Sequence, residues 1–328
     1  ELHRELRKGH IKTNDTLLVT RAGVGSVAFV TNDFDGANIN AQLVYLRTDG
    51  VNLDPEYLYF YLSSKSMLDT LVAYSSGSAQ GQLPIKSLLQ IPIKIVDFDD
   101  QRKIAKILGD LDRKIELNRK MNETLEQIGQ ALFKKYFIDN PERESWNEVS
   151  LSDIIKSVKE PVTSNKVPLD NIYLPIEKLS MKSFSIVGPA PLDDAKSSLV
   201  AFRKNDVLLG AMRVYFHRVN IAPADGVTRS TVFVLRTKDI KNQSFVCYLL
   251  NQESTIEYAK ITSKGSTMPY AVWTNGLADM KFRLPPENLI AEFDEVVKPI
   301  LETIRDSYKK NATLTQVRDI LLPKLMSG

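Results

Sequence analysis

The chain is nearly devoid of cysteine, and what it has cannot form a disulfide: a single residue, Cys247, lies in the apolar run Phe245-Val-Cys-Tyr-Leu-Leu250 and reads as a reduced, buried structural side chain. No apolar run approaches the roughly 18 residues that cross a membrane, and no secretory leader is visible. A cytoplasmic protein with no membrane partner is therefore expected. Charge imbalance is small as well. A formal net charge of +3 permits contact with a polyanion without arguing for it, because dedicated nucleic-acid binders often concentrate much more positive charge. The three histidines, His3, His10 and His217, are too scattered to form a ligand set, so no metal is expected.

Enzyme signatures are missing too. Gly23-Val-Gly25 lacks the third glycine of a dinucleotide loop and the lysine of a P-loop, which leaves a tight turn. No asparagine or aspartate precedes Pro-Pro-Tyr or Pro-Pro-Phe, the tetrapeptide with which an amino-methyltransferase holds its target amine. Asn140-Pro-Glu142 comes nearest and suits an interdomain linker better. Glu257-Tyr-Ala-Lys260 has the Glu-x-Lys spacing of some nucleases, yet it lies inside a helical pattern with no upstream acidic partner. No catalytic residue is assigned. A stand-alone DNA methyltransferase or nuclease, and a coiled-coil scaffold without a DNA role, are the competing functional classes.

What the chain does have is itself, twice. Asn122-Glu-Thr-Leu-Glu-Gln-Ile-Gly-Gln-Ala-Leu132 lies over Asn311-Ala-Thr-Leu-Thr-Gln-Val-Arg-Asp-Ile-Leu321, about 189 positions later. Upstream, Leu46-Arg47-Thr48 falls on Leu235-Arg236-Thr237. With small shifts, Asn14-Asp15-Thr16-Leu17-Leu18 matches Asn205-Asp206-Val207-Leu208-Leu209, and Ser76-Gly77-Ser78 roughly matches Lys264-Gly265-Ser266. A repeat this long holds a whole domain and a helix, so it is a duplicated module and not a solenoid unit. The 328 residues, 43% hydrophobic and 25% charged, agree with a soluble chain of about two domains.

Each half shows short β-branched or aromatic runs broken by turn residues: Asp15–Thr20, Val27–Val30 and Gln42–Arg47, then Asp206–Gly210 and Thr231–Leu235. A helix follows each set, over Pro55 to Ala73 and Phe245 to Lys260. Next comes a polar glycine-serine loop and a strand, Ile91–Ile95 and Met280–Leu284. The fold class is thus mixed α/β, two globules each followed by a long helix. The segments are 1–98 (first globule, N-terminally incomplete), 99–138 (first helix), 139–145 (linker), 146–286 (second globule) and 287–328 (second helix).

The long helices carry heptads. Ile104, Leu111, Asn118, Leu125 and Leu132 take the a positions of the first, and Phe293, Ile300, Ser307, Leu314 and Leu321 those of the second. Ile107, Met121 and Ile128, with Val296 and Val317, add d positions, a row that Lys114 and Lys135 interrupt. These seams predict an antiparallel coiled coil between the two helices, related by an internal pseudo-two-fold axis, with Asn118 and Ser307 meeting at its centre. Gly109 and Pro299 predict a kink in each rod. A helix of roughly 38 residues is about 57 Å long, a spacing suited to two half-sites more than a turn of duplex apart.

Taken in order, the blocks Gly77-Ser78 to Ile91-Pro92-Ile93, Gln101-Arg-Lys-Ile-Ala-Lys-Ile-Leu-Gly-Asp-Leu-Asp-Arg-Lys-Ile115 and Trp146-Asn-Glu-Val-Ser-Leu-Ser-Asp-Ile154 resemble the DNA-specificity subunit of Type I restriction-modification systems. The likeness covers essentially the whole chain, with one departure: the segment from Trp146 to about Pro189 has no counterpart before Glu1. The resemblance implies a non-catalytic subunit that reads a bipartite sequence in double-stranded DNA through two target-recognition domains. It implies methyltransferase (modification) and restriction subunits as partners. S-adenosylmethionine, ATP and Mg would sit on those partners, with no cofactor in this chain.

Candidate DNA-binding residues are cations and aromatics near turns: Lys12 and Arg21 in the first globule, and Arg203, Arg213, Tyr215, His217, Arg218 and Arg229 in the second. Arginine can read guanine bidentately, while lysine and backbone donors hold phosphates. The loops at Ser76, Gly77 and Ser78 and at Lys264, Gly265 and Ser266 suit phosphate clamps, since small residues let backbone N–H groups approach an anion. Tyr270 and Trp273 flank the second loop as packing aromatics.

Overall fold

A computed structural model describes residues 9–76, 81–265 and 267–327. It divides into two compact units: the residues up to Glu116 with those from Thr313 onward, and Leu117–Ala312. Each long helix contributes to both.

In the first unit, β1 (Thr16–Val19), β2 (Val27–Phe29) and β3 (Leu43–Leu46) form an antiparallel sheet in the order β2-β1-β3. Helix α1 (Pro55–Ser63) starts where the Asp54 carboxylate accepts the Tyr57 N–H at 2.9 Å. The single helix expected over Pro55–Ala73 is broken at Ser64, whose extended backbone ends α1 and whose hydroxyl accepts the Met67 N–H to start α2 (Lys65–Ala73). A serine competes for backbone donors in this way and so prefers caps to helix interiors. Leu18, Leu58, Leu62, Met67, Leu71 and Leu83 form the core beneath.

The strand expected at Ile91–Ile95 is absent: those residues run as irregular backbone. Its counterpart in the second unit is a strand because another strand pairs with it, and no described segment of the first unit plays that part. The chain then enters α3 (Phe98–Phe133), one helix of 36 residues. Buried Gln101 on its first turn accepts the Asp54 N–H at 2.9 Å and donates to the carbonyls of Val96 and Asn52. Tyr57, Phe60, Ala105 and Leu108 pack with Leu322 and Met326 of the C-terminal helix.

The second unit threads β4 (Glu148–Ser150), β5 (Ile155–Val158), β6 (Pro161–Val162), β7 (Ile172–Tyr173), β8 (Leu199–Phe202), β9 (Val207–Gly210), β10 (Val219–Ile221), β11 (Gly226–Arg229), β12 (Val232–Thr237) and β13 (Lys281–Arg283). Two four-stranded sheets, β10-β9-β12-β5 and β6-β8-β11-β7, accompany the two-stranded pair β13-β4. The expected helix Phe245–Lys260 is two helices, α4 (Gln243–Leu250) and α5 (Glu253–Ile261), separated at Asn251 and Gln252. The last helix, α6, spans Glu287–Ser327. The main core is aromatic: the rings of Phe133, Phe137, Phe245, Tyr248 and Phe293 lie within 4.9–6.1 Å of neighbours in the set. Gly129 admits Tyr248, since a Cβ there would lie 1.8 Å from the phenol oxygen.

The two helices do run antiparallel. In the second unit Asn118 Nδ2 donates to Asn311 Oδ1 at 2.7 Å and Asn122 Nδ2 to Ser307 Oγ at 2.5 Å. In the first unit Arg318 donates to Asp112 at 2.7 Å. Asn118 and Ser307 therefore do not meet, each pairing instead with a polar residue one turn along the other helix. The a rows are buried or half-buried as expected, but the second row lies four residues on from them, at Leu108, Ile115, Asn122 and Gly129 and at Val297, Ile304, Asn311 and Arg318.

The anticipated d row faces outward: Ile107 is 47%, Met121 40%, Ile128 45%, Val296 49% and Val317 40% exposed. That phase would have buried Lys114 and Lys135, both exposed here, with nothing to pair their charges. The observed phase instead buries asparagines and a serine that pair with one another across the helices. Both helices run through Gly109 and Pro299 without a break.

Candidate nucleic-acid interface

Both units build the same edge from the same local chemistry. In the first, Asn14 in the left-handed region (φ 73°) turns the chain so that Asp15 accepts the Lys12 N–H at 2.7 Å. The buried Asp15 carboxylate then receives Arg47, the residue after β3, through two hydrogen bonds of 2.7 Å. In the second, Asn205 (φ 74°), Asp206, the Arg203 N–H and Arg236 from β12 repeat this, with bonds of 2.7, 2.7 and 2.6 Å. Burial alone would raise the Asp15 pKa, but the Arg47 hydrogen bonds and charge outweigh it and hold the carboxyl below the usual aspartate range. Such bidentate pairs fix geometry as well as contributing energy, so the central strand of each sheet is pinned at its start.

At the other end of that strand, the residues flanking the glycine-serine segment pair with one another. Ser76 and Gln82 exchange backbone hydrogen bonds of 2.8 and 2.9 Å, Gln82 also bridges Arg21, and the Leu83 N–H donates to Thr20. In the second unit Lys264 and Tyr270 exchange bonds of 2.9 and 2.8 Å, Tyr270 bridges Met212, and the Ala271 N–H donates to Ala211. The residue after each bridge position is left-handed, Ala22 (φ 53°) and Arg213 (φ 51°). Such a conformation costs an L-residue about 1–2 kcal/mol, and at Arg213 it is held by a 2.8 Å hydrogen bond from its N–H to the Pro269 carbonyl.

Not all of the sequence-derived candidates gather at this edge. Arg21 and Ser76 lie together in the first unit. Arg213, Lys264 and Gly265 lie together in the second, with exposed Tyr215 beside Arg213 and Arg229 just before Ser230, whose carbonyl accepts the Tyr270 hydroxyl. Lys12 and Arg203 sit at the opposite end of β1 and β9, both exposed. Gly77, Ser78 and Ser266 fall outside the described residues.

Two candidates face inward. His217 is buried and its Nε2 lies 2.8 Å from Asn251 Oδ1, while Arg218 Nη1 donates to the carbonyls of Ile176 and Leu179. Phe216, 38% exposed and 4.9 Å from the Tyr215 ring, belongs to the outward surface and was missed. No alternation along Arg213–Arg218 marks it, since buried Val214 and His217 bracket two consecutive exposed residues.

A model of the Type I restriction modification DNA specificity domain matches residues 6–127. The chain is 28% identical to the Type I restriction enzyme MjaIX specificity subunit of Methanocaldococcus jannaschii, over 95% of this chain and 76% of that one. Over nearly its whole length, this chain is similar to Type I restriction-modification specificity subunits. It is also 24% identical to the HindI specificity subunit of Haemophilus influenzae, over 98% of this chain and 87% of the relative. The fold is that of the Type I specificity subunit from M. genitalium, with a TM-score of 0.59 at 16% identity over 97% of this chain and 84% of that one.

Proposed function

We propose that this chain is the sequence-reading subunit of a Type I restriction-modification complex, recognising a two-part DNA target and catalysing nothing itself. The observation that carries the reading is the duplicated edge. Each unit presents a cation, Arg21 or Arg213, beside a short backbone-paired loop, on a strand pinned by a buried Asp–Arg pair. Guanidinium groups read guanine in the major groove, and loop N–H groups and Lys264 hold phosphates in register. Because the edge residues differ between units (Ala22 where the other has Arg213, Gln82 where it has Tyr270), the two halves of the target differ.

The outward apolar residues of the two helices, Ile107 and Val317 in the first unit and Met121, Ile128 and Val296 in the second, form docking surfaces for the modification subunits. The seam between the helices is closed by other residues, polar ones at its middle, while these aliphatic side chains stay in water, an arrangement that serves a partner better than the isolated chain. The repeat places Ile107 with Val296 and Ile128 with Val317 at equivalent positions, which suits two copies of one partner. S-adenosylmethionine and ATP are bound by the partner subunits, and the complex works in the cytoplasm.

Selection from a random duplex library by the chain complexed with its modification subunits tests the reading. Enrichment of two short defined sequences separated by a gap of fixed length is expected. Retention of DNA without any enriched sequence at every salt concentration would overturn it.

A further inference from the structure

Beside the reading edge of the second unit lies a cleft of about 490 Å³ that this edge does not use. Its walls are the rings of Phe233, Tyr270 and Trp273 and the side chains of Val200 and Val232, gathered where β12 passes the loop that follows Tyr270. The Phe233 and Tyr270 rings are 6.3 Å apart at 80°, so one offers a face where the other offers an edge. The Tyr270 ring is fixed at both ends, by the backbone bonds to Lys264 and by the hydrogen bond from its hydroxyl to the Ser230 carbonyl. Two exposed cations adjoin it: Lys159 lines the cleft, and Lys264 pairs through its backbone with Tyr270. Glu160, the acidic residue next to Lys159, is engaged by Arg236 at 3.7 Å.

We propose that this cleft receives a nucleobase drawn out of the stack of the bound half-site. The inference rests on the DNA-reading role given above and adds a base-binding site to it. A heteroaromatic ring matches walls of this kind because every base has a π face, and base–aromatic stacking requires no particular hydrogen-bond code. The cationic rim suits the phosphates on either side of an extruded nucleotide, and it disfavours an apolar peptide segment, which would leave those charges unanswered. The cost of unstacking a base is repaid in part by stacking on protein rings. Tyr270 belongs both to the loop bridge and to the cleft wall, so phosphate contact at Lys264 and base capture are coupled through one residue.

Photoreactive bases test this directly. The full chain with its modification subunits is bound to its selected duplex carrying 5-iodouracil at single pyrimidine positions or 8-bromopurines at single purine positions. Cross-linked residues are then identified by mass spectrometry. One position of the second unit's half-site is expected to cross-link to Phe233, Tyr270 or Trp273, and an abasic nucleotide there should weaken binding about tenfold, within the range of stacking on an aromatic side chain. Phe233→Leu should lower that cross-link while leaving cross-links elsewhere in the duplex unchanged. Sequence-specific binding retained with cross-links only outside the cleft, or with no effect of any abasic substitution beyond base-pair loss, overturns the proposal and leaves the reading edge standing. Loss of specificity for the unsubstituted duplex would instead strike at the DNA-reading role itself.

Discussion

Glu126 stands on the α3 face turned toward the second globule, where its carboxylate accepts the Ser183 hydroxyl at 2.7 Å and the Phe184 N–H at 3.0 Å. Burial, only partly offset by those two donors, pushes its pKa up to about 7. The folded state then holds the proton more tightly than the unfolded chain, whose glutamate titrates near 4.5. Stability from this group is full below pH 4.5, is lost as pH rises toward 7 and is flat above, a change on the order of 1–3 kcal/mol. Glu126→Gln keeps an acceptor for both donors and removes the titration. Its melting temperature should exceed that of the parent at pH 8 and match it at pH 4.5, and equal pH slopes in the two proteins would refute the assignment.

At this scale the sequence was half legible. Arg213 and Arg218 look alike in a string of letters, yet Arg213 is exposed at a left-handed turn while Arg218 holds two carbonyls that come from some 40 residues upstream. The Asp15–Arg47 and Asp206–Arg236 pairs were visible only as separate echoes of the repeat, since nothing local joins a turn to a strand 30 residues later.

At the scale of elements, the helix pair shows how a pattern of apolar residues can mislead. Ile107, Met121 and Ile128 have the spacing of a seam, and a seam is what hydrophobic periodicity alone selects. The structure buries the row containing Asn122, Gly129, Asn311 and Arg318 because those residues find partners there: Ser307, Tyr248, Asn118 and Asp112. On the proposed reading, the aliphatic side chains left outside this seam contact the modification subunits. Ile107→Asp combined with Ile128→Asp should therefore weaken association with the modification subunit at least tenfold in sedimentation or titration calorimetry. The melting temperature of the chain alone should barely change, because exposed substitutions usually shift stability by no more than about 0.5 kcal/mol. Unchanged association, or a chain that unfolds, would remove the docking surface. The helix breaks at Ser64 and at Asn251–Gln252 were less legible, because the apolar spacing continues across both; a capping serine marks the first, and no side-chain cap marks the second.

For the whole molecule, the duplication was the most legible feature, because an offset of about 189 residues persists through strands, loops and helices alike. What the repeat could not reveal was where it stops being symmetric. The Ile91–Ile95 segment matches β13 in sequence position but lacks a pairing strand like β4 among the described residues, so the same pattern gives a strand in one unit and irregular backbone in the other. Two units with their own cores and their own copy of the reading edge imply that each contributes one part of the target independently. The most direct measurement is single-molecule sequencing of DNA methylated by the complex, with residues 146–286 either native or replaced by the corresponding segment of another family member. One part of the methylated motif should change and the other should stay the same. A motif that keeps both parts, or loses both, would contradict the account.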